Sequence, residues 1–154
     1  MGQVNQDLLK VAYIERITRF IEWPSECSSD TNTIITVGVM NNPEFAATVK
    51  KIFKSQKIKN CTVKVLVLKK GADISSCQIC YLDNMGSGSL KLAIPQANKH
   101  GVLLFSQSKM SAKAGVHFNF YIEKGKLKFE INESSVNSAG FKISHLLMKS
   151  ARIL

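Results

Sequence analysis

The sequence predicts an α/β fold, a single three-layer domain in which a mostly parallel sheet is flanked by helices and ends in a C-terminal antiparallel hairpin. Three observations predict it. Short β-branched runs alternate with helical stretches over short connections, the pattern of a parallel sheet with crossover helices. Near the end, Glu123-Lys124-Gly125-Lys126 separates two strand-like runs, which breaks the alternation and marks a hairpin. The chain has 154 residues and no repeat or linker, so one domain over 1–154 is expected, with 1–6 left over as disordered residues or a cloning remnant.

From Asp7 to Trp23 the apolar residues Leu9, Tyr13, Ile17, Phe20 and Ile21 recur at helical spacing. Lys10, Arg16 and Arg19 are left for the opposite, solvated face. Pro24 is expected to stop this helix, because the residue before a proline disfavours the helical region. Ser25 to Asn32 is polar and reads as a loop. Ile34 to Met40 is a β-branched run with the look of a buried strand. Asn42 followed by Pro43 is a helix start, giving a helix from Pro43 to about Lys54.

Cys61 to Leu68 and Gln78 to Leu82 are the next strands, with a turn at Lys69 to Asp73 between them. Gly86-Ser87-Gly88-Ser89 opens a helix reaching about Lys99, with Pro95 inside it and His100-Gly101 closing it. Val102 to Phe105 is a fourth strand. Val116 to Ile122 and Leu127 to Ile131 form the hairpin, where Gly125 supplies a positive φ. Ser144 to Ile153 reads as a last helix, packed through Leu146, Leu147, Ala151 and Leu154.

Composition narrows function mainly by exclusion. The formal charge is +10, from 21 basic and 11 acidic residues. Lys50, Lys51, Lys54, Lys57, Lys59, Lys64, Lys69 and Lys70 fall between Glu44 and Asp73 with no acidic residue among them. Nucleic-acid binding would add aromatics for base stacking. Phe45 and Phe53 are the aromatics nearby, and their spacing of eight places them on a core face with Val49 and Ile52. Lys50, Lys51, Lys54 and Lys57 are instead the solvated side of that helix, or a basic face meeting an acidic partner or lipid headgroups.

Motifs for catalysis are missing. Cys77-Gln78-Ile79-Cys80 is a C-x-x-C, but it leads into a strand rather than a thiolate-stabilising helix N-terminus. Residues three apart on a strand face opposite ways, so these two are expected to be poorly placed to bridge each other. One should pack inward and the other pair with Cys61 or Cys27, making Cys27, Cys61, Cys77 and Cys80 the disulfide candidates. Zinc ligation would need a second cysteine pair or a histidine pair at suitable spacing. His100, His117 and His145 read as surface or packing residues. The Gly86 to Ser89 turn lacks the Lys-Ser/Thr of a phosphate loop. No cofactor, metal site or enzymatic activity is expected.

Three passages together resemble one family. They are Lys10 to Ile14 running into Phe20-Ile21-Glu22-Trp23-Pro24; Val37-Gly38-Val39 before Asn42-Pro43-Glu44-Phe45; and Lys126 to Asn132 leading to Ala139-Gly140-Phe141-Lys142-Ile143-Ser144 and Leu146-Leu147. They look like the YfiR family of periplasmic proteins, over nearly the whole chain from Lys10 onward. The resemblance implies an exported α/β protein, commonly dimeric and stabilised by disulfides, whose signal peptide precedes this sequence. It implies a repressor that binds the periplasmic region of an inner-membrane diguanylate cyclase and lowers cyclic-di-GMP and biofilm formation. A partner associated with the outer membrane releases that inhibition. Trp23, Pro24 and the segment Phe129 to Asn132 match the family pattern and are read here as determinants of the fold. The family often has a cysteine in the first core strand, where this chain has Val37, so no cysteine pairing is carried over.

The alternative is a periplasmic domain that binds a small ligand and has no cyclase partner. Its site would be the crevice at the C-terminal ends of the parallel strands, near Asn41, Asn42 and Ser106. With four cysteines in a chain large enough to fold without them, oxidation state is expected to control dimer or partner affinity.

Overall fold

A computed structural model of the chain describes residues 3–24, 33–108 and 110–154. The expected loop at Ser25 to Asn32 lies outside the described residues.

Nine strands and six helices follow in the order α1 (Gln3–Thr18), β1 (Ile21–Glu22), β2 (Ile34–Met40), α2 (Pro43–Phe53), β3 (Thr62–Leu68), β4 (Ile79–Leu82), α3 (Ser87–His100), β5 (Leu103–Ser106), α4 (Ser111–Ala114), β6 (Phe118–Glu123), β7 (Lys126–Ile131), α5 (Glu133–Ser138), β8 (Lys142–Ile143), α6 (His145–Met148) and β9 (Arg152–Ile153) among the described residues. Seven strands form one sheet in the order β3-β2-β4-β5-β6-β7-β9, and β1 pairs with β8 in a separate small sheet. Every neighbour from β3 to β6 is parallel, whereas β6 and β7 are antiparallel across the expected hairpin, with φ of 51° at Lys124 and 75° at Gly125.

Two apolar clusters cover the two faces of the sheet, which makes the three layers. The larger holds Val37, Val39, Ile79, Tyr81, Phe105, Phe118 and Phe120 against α1 and α2. On the other face Met40, Cys80, Leu82 and Leu104 pack under Leu90, Ala93 and Ala97 of α3. Alternation along β4 assigns its residues to opposite layers: Ile79 and Tyr81 to one, Cys80 and Leu82 to the other.

Local signals formed the elements they predict. Asn42 caps α2 by accepting from the Phe45 amide at 2.9 Å, with Pro43 in the first turn. Gly101 closes α3 at φ 68°, the left-handed position that favours glycine.

Both ends of the chain depart from expectation. Helix α1 stops at Thr18 and not at Trp23. The Thr18 hydroxyl bonds back to the Glu15 carbonyl, and the Arg19 and Phe20 amides close tight turns onto Arg16 and Ile17. Ile21 and Glu22 then pair with Ile143 and Lys142, bonds a continuing helix would have forfeited. Lys10 is buried rather than solvated: its ammonium lies 3.4 Å from Asp7 and 3.4 Å from the Tyr81 hydroxyl, above the Phe45 ring. The expected last helix shrinks to His145–Met148, because Arg152 and Ile153 leave it to pair in parallel with Glu130 and Ile131. Of its proposed packing face Leu147 is buried, whereas Leu146 is 65% exposed.

Candidate functional site

Two passages from opposite ends of the sequence meet first. Antiparallel pairing sets Ile21 opposite Ile143 and Glu22 opposite Lys142. Trp23 follows that strand, with its ring edge-on to Phe141 at 5.9 Å and its indole N–H donating to the Gln78 carbonyl at 3.1 Å. Lys59 donates to the Ile21 carbonyl at 2.6 Å and lies over the Trp23 ring. Arg19, Glu22, Lys59 and Lys142 border a cleft of about 400 Å³ here. Gln78 is the residue that sequence reasoning missed: its side chain also accepts from the Thr36 amide at 2.6 Å, tying Trp23 to the central strand β2. No periodicity marks such a contact, since both of its bonds are long-range.

The crevice residues separate into two groups. The chain leaves β2 for β3 on one side and later returns to β4 on the other, so the ends of β2 and β4 form the topological switch point. Asn41 and Asn42 meet there, donating to the Asp83 carbonyl at 3.1 Å and the Asp83 carboxylate at 2.8 Å. Ser106, at the end of β5, is buried and donates to Asn119 at 2.8 Å. Asn119 in turn donates to Glu130, which accepts from the Arg152 guanidinium. The structure therefore joins Asn41 with Asn42 and ties Ser106 into a different polar chain that holds β9 against β7.

The cysteines correct one expectation. Cys77 and Cys80 are free, so neither is bridged to Cys61 or Cys27. Nor do they face opposite ways, for both belong to the cluster under α3. The reason is that Cys77 precedes the strand: its amide closes a turn onto Ile74, which takes it out of the strand alternation. A Cβ on Gly38 would stand 2.9 Å from the Cys77 sulfur and 3.4 Å from the Cys80 sulfur, so the missing side chain makes room for both thiols. Cys61 packs in the opposite layer, with the sheet between. It is disulfide-bonded; Cys27 lies outside the described residues. Burial pushes both free thiols up, Cys80 the further, so they stay protonated and weakly nucleophilic at neutral pH.

His117 is a packing residue. Its Nδ1 accepts from the Leu104 amide at 2.9 Å, which leaves the proton of the neutral ring on Nε2, edge-on to Phe141. Burial lowers its pKa to about 4. Among the described residues no group of three or more His, Cys, Asp or Glu is arranged to hold a metal ion.

The basic face is the most open of the expected sites. Lys50 and Lys51 line the outer side of α2 and Lys54 caps its C-terminus, bordering the same groove as Lys64 of β3, whereas Lys57 lies further on, between α2 and β3. Between α2 and the sheet edge runs a groove of about 850 Å³ whose apolar wall includes Ile34, Phe53, Val63 and Val65. No other strand covers β3 on its outer side among the described residues.

Sequence comparison assigns this geometry to a family. The family model described as YfiR/HmsC-like matches residues 7–152. The chain belongs to the YfiR/HmsC-like family. Its passages that resembled the family, around Trp23 and Phe141, are those that the small sheet brings together. No curated protein matches this YfiR/HmsC-like chain in sequence. Among solved structures it is similar to a conserved domain protein from Vibrio cholerae, at TM-score 0.62 and 15% identity over 96% of this chain and 59% of that one. It is also similar to an ABC domain in complex with L-Trp from Streptococcus pneumonia, at TM-score 0.54 and 13% identity over 78% of this chain and 55% of that one. The YfiR/HmsC-like chain thus spans a little over half the length of each, and at these identities the likeness is one of fold. None of its described helices is long and apolar enough to cross a membrane.

Proposed function

We propose that this chain is a non-catalytic periplasmic regulator. It binds and restrains a membrane-bound diguanylate cyclase or a similar sensor, and so lowers cyclic-di-GMP and biofilm formation. The observation that carries the reading is the family match, which extends from residue 7 to residue 152 and so covers nearly the whole fold. An open basic groove and a sheet edge left uncovered among the described residues supply a surface suited to protein contact, and the buried, protonated thiols of Cys77 and Cys80 offer no ready nucleophile. The chain works as a homodimer that contacts the periplasmic region of an inner-membrane protein. An outer-membrane-associated partner that sequesters it would relieve the repression. Such a switch needs only that the regulator bind the inactive state of the cyclase better than the active one. Deleting the gene in the native host tests this. Cyclic-di-GMP and surface attachment should rise severalfold, and return to the original level when the chain is supplied again in the periplasm. Unchanged levels after deletion would contradict the reading.

A further inference from the structure

We infer that the groove between α2 and β3 receives an extended, acidic segment of a protein partner, which adds to the outer edge of β3, uncovered among the described residues, as an eighth strand. The inference rests on the regulatory reading only for which protein supplies that segment.

Three observations carry it. First, β3 is a seven-residue strand at the end of the sheet, paired with β2 on one side. Among the described residues nothing pairs with its outer edge, which presents N–H and C=O groups over roughly 23 Å, the length of strand that β-augmentation uses. Edges of this kind are normally shortened, bulged or covered. Second, the α2 face of that edge is apolar where a partner's side chains would rest: Val63 and Val65 are half-buried there and Val67, in step with them, is 60% exposed. The groove adjoining them holds about 850 Å³. Third, both flanks of the edge are positive, Lys50, Lys51 and Lys54 on the α2 side and Lys64 on the other face. Lys50, Lys51, Lys54 and Lys64 are exposed, and no ion pair engages them among the described residues.

Charge selects the occupant. A second copy docking edge to edge would bring Lys64 and the α2 lysines against their own counterparts, and opposed like charges destabilise paired strands. A segment alternating apolar and acidic residues has the complementary pattern. Its backbone completes the hydrogen bonds of β3, its apolar side chains rest against Val63 and Val65 on the α2 face, and its carboxylates, on the opposite face, meet Lys64. Lys64, in mid-strand, then excludes cationic and self-pairing strands while admitting an acidic one.

The test uses the purified whole chain and a labelled eight-residue peptide alternating valine and glutamate, titrated by fluorescence anisotropy. Saturable binding is expected, weakening as salt rises, together with slowed amide exchange in Thr62–Leu68. The variant K64E should bind severalfold more weakly, since an exposed charge pair contributes up to about 1 kcal/mol. The same charge change on α3, K91E, should leave binding unaltered. No binding of the peptide overturns the inference, as does binding indifferent to K64E or without protection of β3. Equal binding of a valine–lysine peptide also overturns it. So does capture by phosphatidylcholine–phosphatidylglycerol vesicles when the acidic peptide is not bound. The outcome is independent of the deletion experiment. A chain that represses in cells but ignores the peptide keeps its regulatory role and loses this mode of docking.

Discussion

Trp23 and Phe141, near opposite ends of the sequence, meet edge to face with ring centroids 5.9 Å apart, and the same indole donates to the Gln78 carbonyl. One side chain thus joins the end of α1, the small β1–β8 sheet and the entry to β4. Trp23→Ala should cost about 3–5 kcal/mol, the usual range for removing a large buried aromatic. A double-mutant cycle with Phe141→Leu should return a coupling of about 0.5–1.5 kcal/mol, read by denaturant unfolding. Strict additivity would show that the ring contact contributes nothing of its own.

Gly38 is required for space and not for backbone conformation. A Cβ there would meet Leu68 at 2.8 Å and the Cys77 sulfur at 2.9 Å. Gly38→Ala should therefore destabilise the fold by about 1–3 kcal/mol, the cost of overpacking a filled core. Cys77→Ala in the same background should recover part of that loss. Thermal melts of the single and double variants decide it.

Cysteine labelling reads the thiols directly. Alkylation without reductant should leave the native protein almost unlabelled. After unfolding, peptide mapping should find label on Cys77 and Cys80 and none on Cys61. A Cys77–Cys80 bridge in freshly isolated protein would contradict the buried dithiol described here.

His117 gives stability a pH dependence. In the folded chain its pKa falls to about 4 from an ordinary 6.5. Below pH 6.5 the unfolded chain takes up a proton that the folded chain refuses, so stability declines as pH falls from 6.5 toward 4. By linkage the loss between pH 8 and pH 5 is about 2 kcal/mol from this residue. His117→Gln should flatten the slope by that amount in urea melts at the two pH values. An unchanged slope would place the acid sensitivity elsewhere.

Much of the fold was legible because its signals are local. Asn42 and Pro43 start a helix by their own chemistry, Gly125 turns a hairpin by its own φ, and β2 is a run of β-branched residues. The misread parts depend on distant partners. Thr18 ends α1 because Ile21 and Glu22 find β8, a strand of two residues with no pattern to detect. Lys10 is buried by Asp7, Phe45 and Tyr81, three neighbours that a helical wheel cannot supply. Arg152 leaves the terminal helix for Glu130 of β7. Of the candidate site residues, the lysines were visible as an uninterrupted charge run. The shared pocket of Cys77 and Cys80 was hidden because a turn, not a strand, carries Cys77.

The central claim is that the chain restrains a cyclase from the periplasmic side. Its most direct test is to strip the periplasm from cells of the deletion strain, add the purified chain to the spheroplasts and measure cyclic-di-GMP inside. The account predicts a dose-dependent fall with the wild-type chain and a weaker one with K64E. Cyclic-di-GMP that does not respond to the wild-type chain at any dose would contradict it.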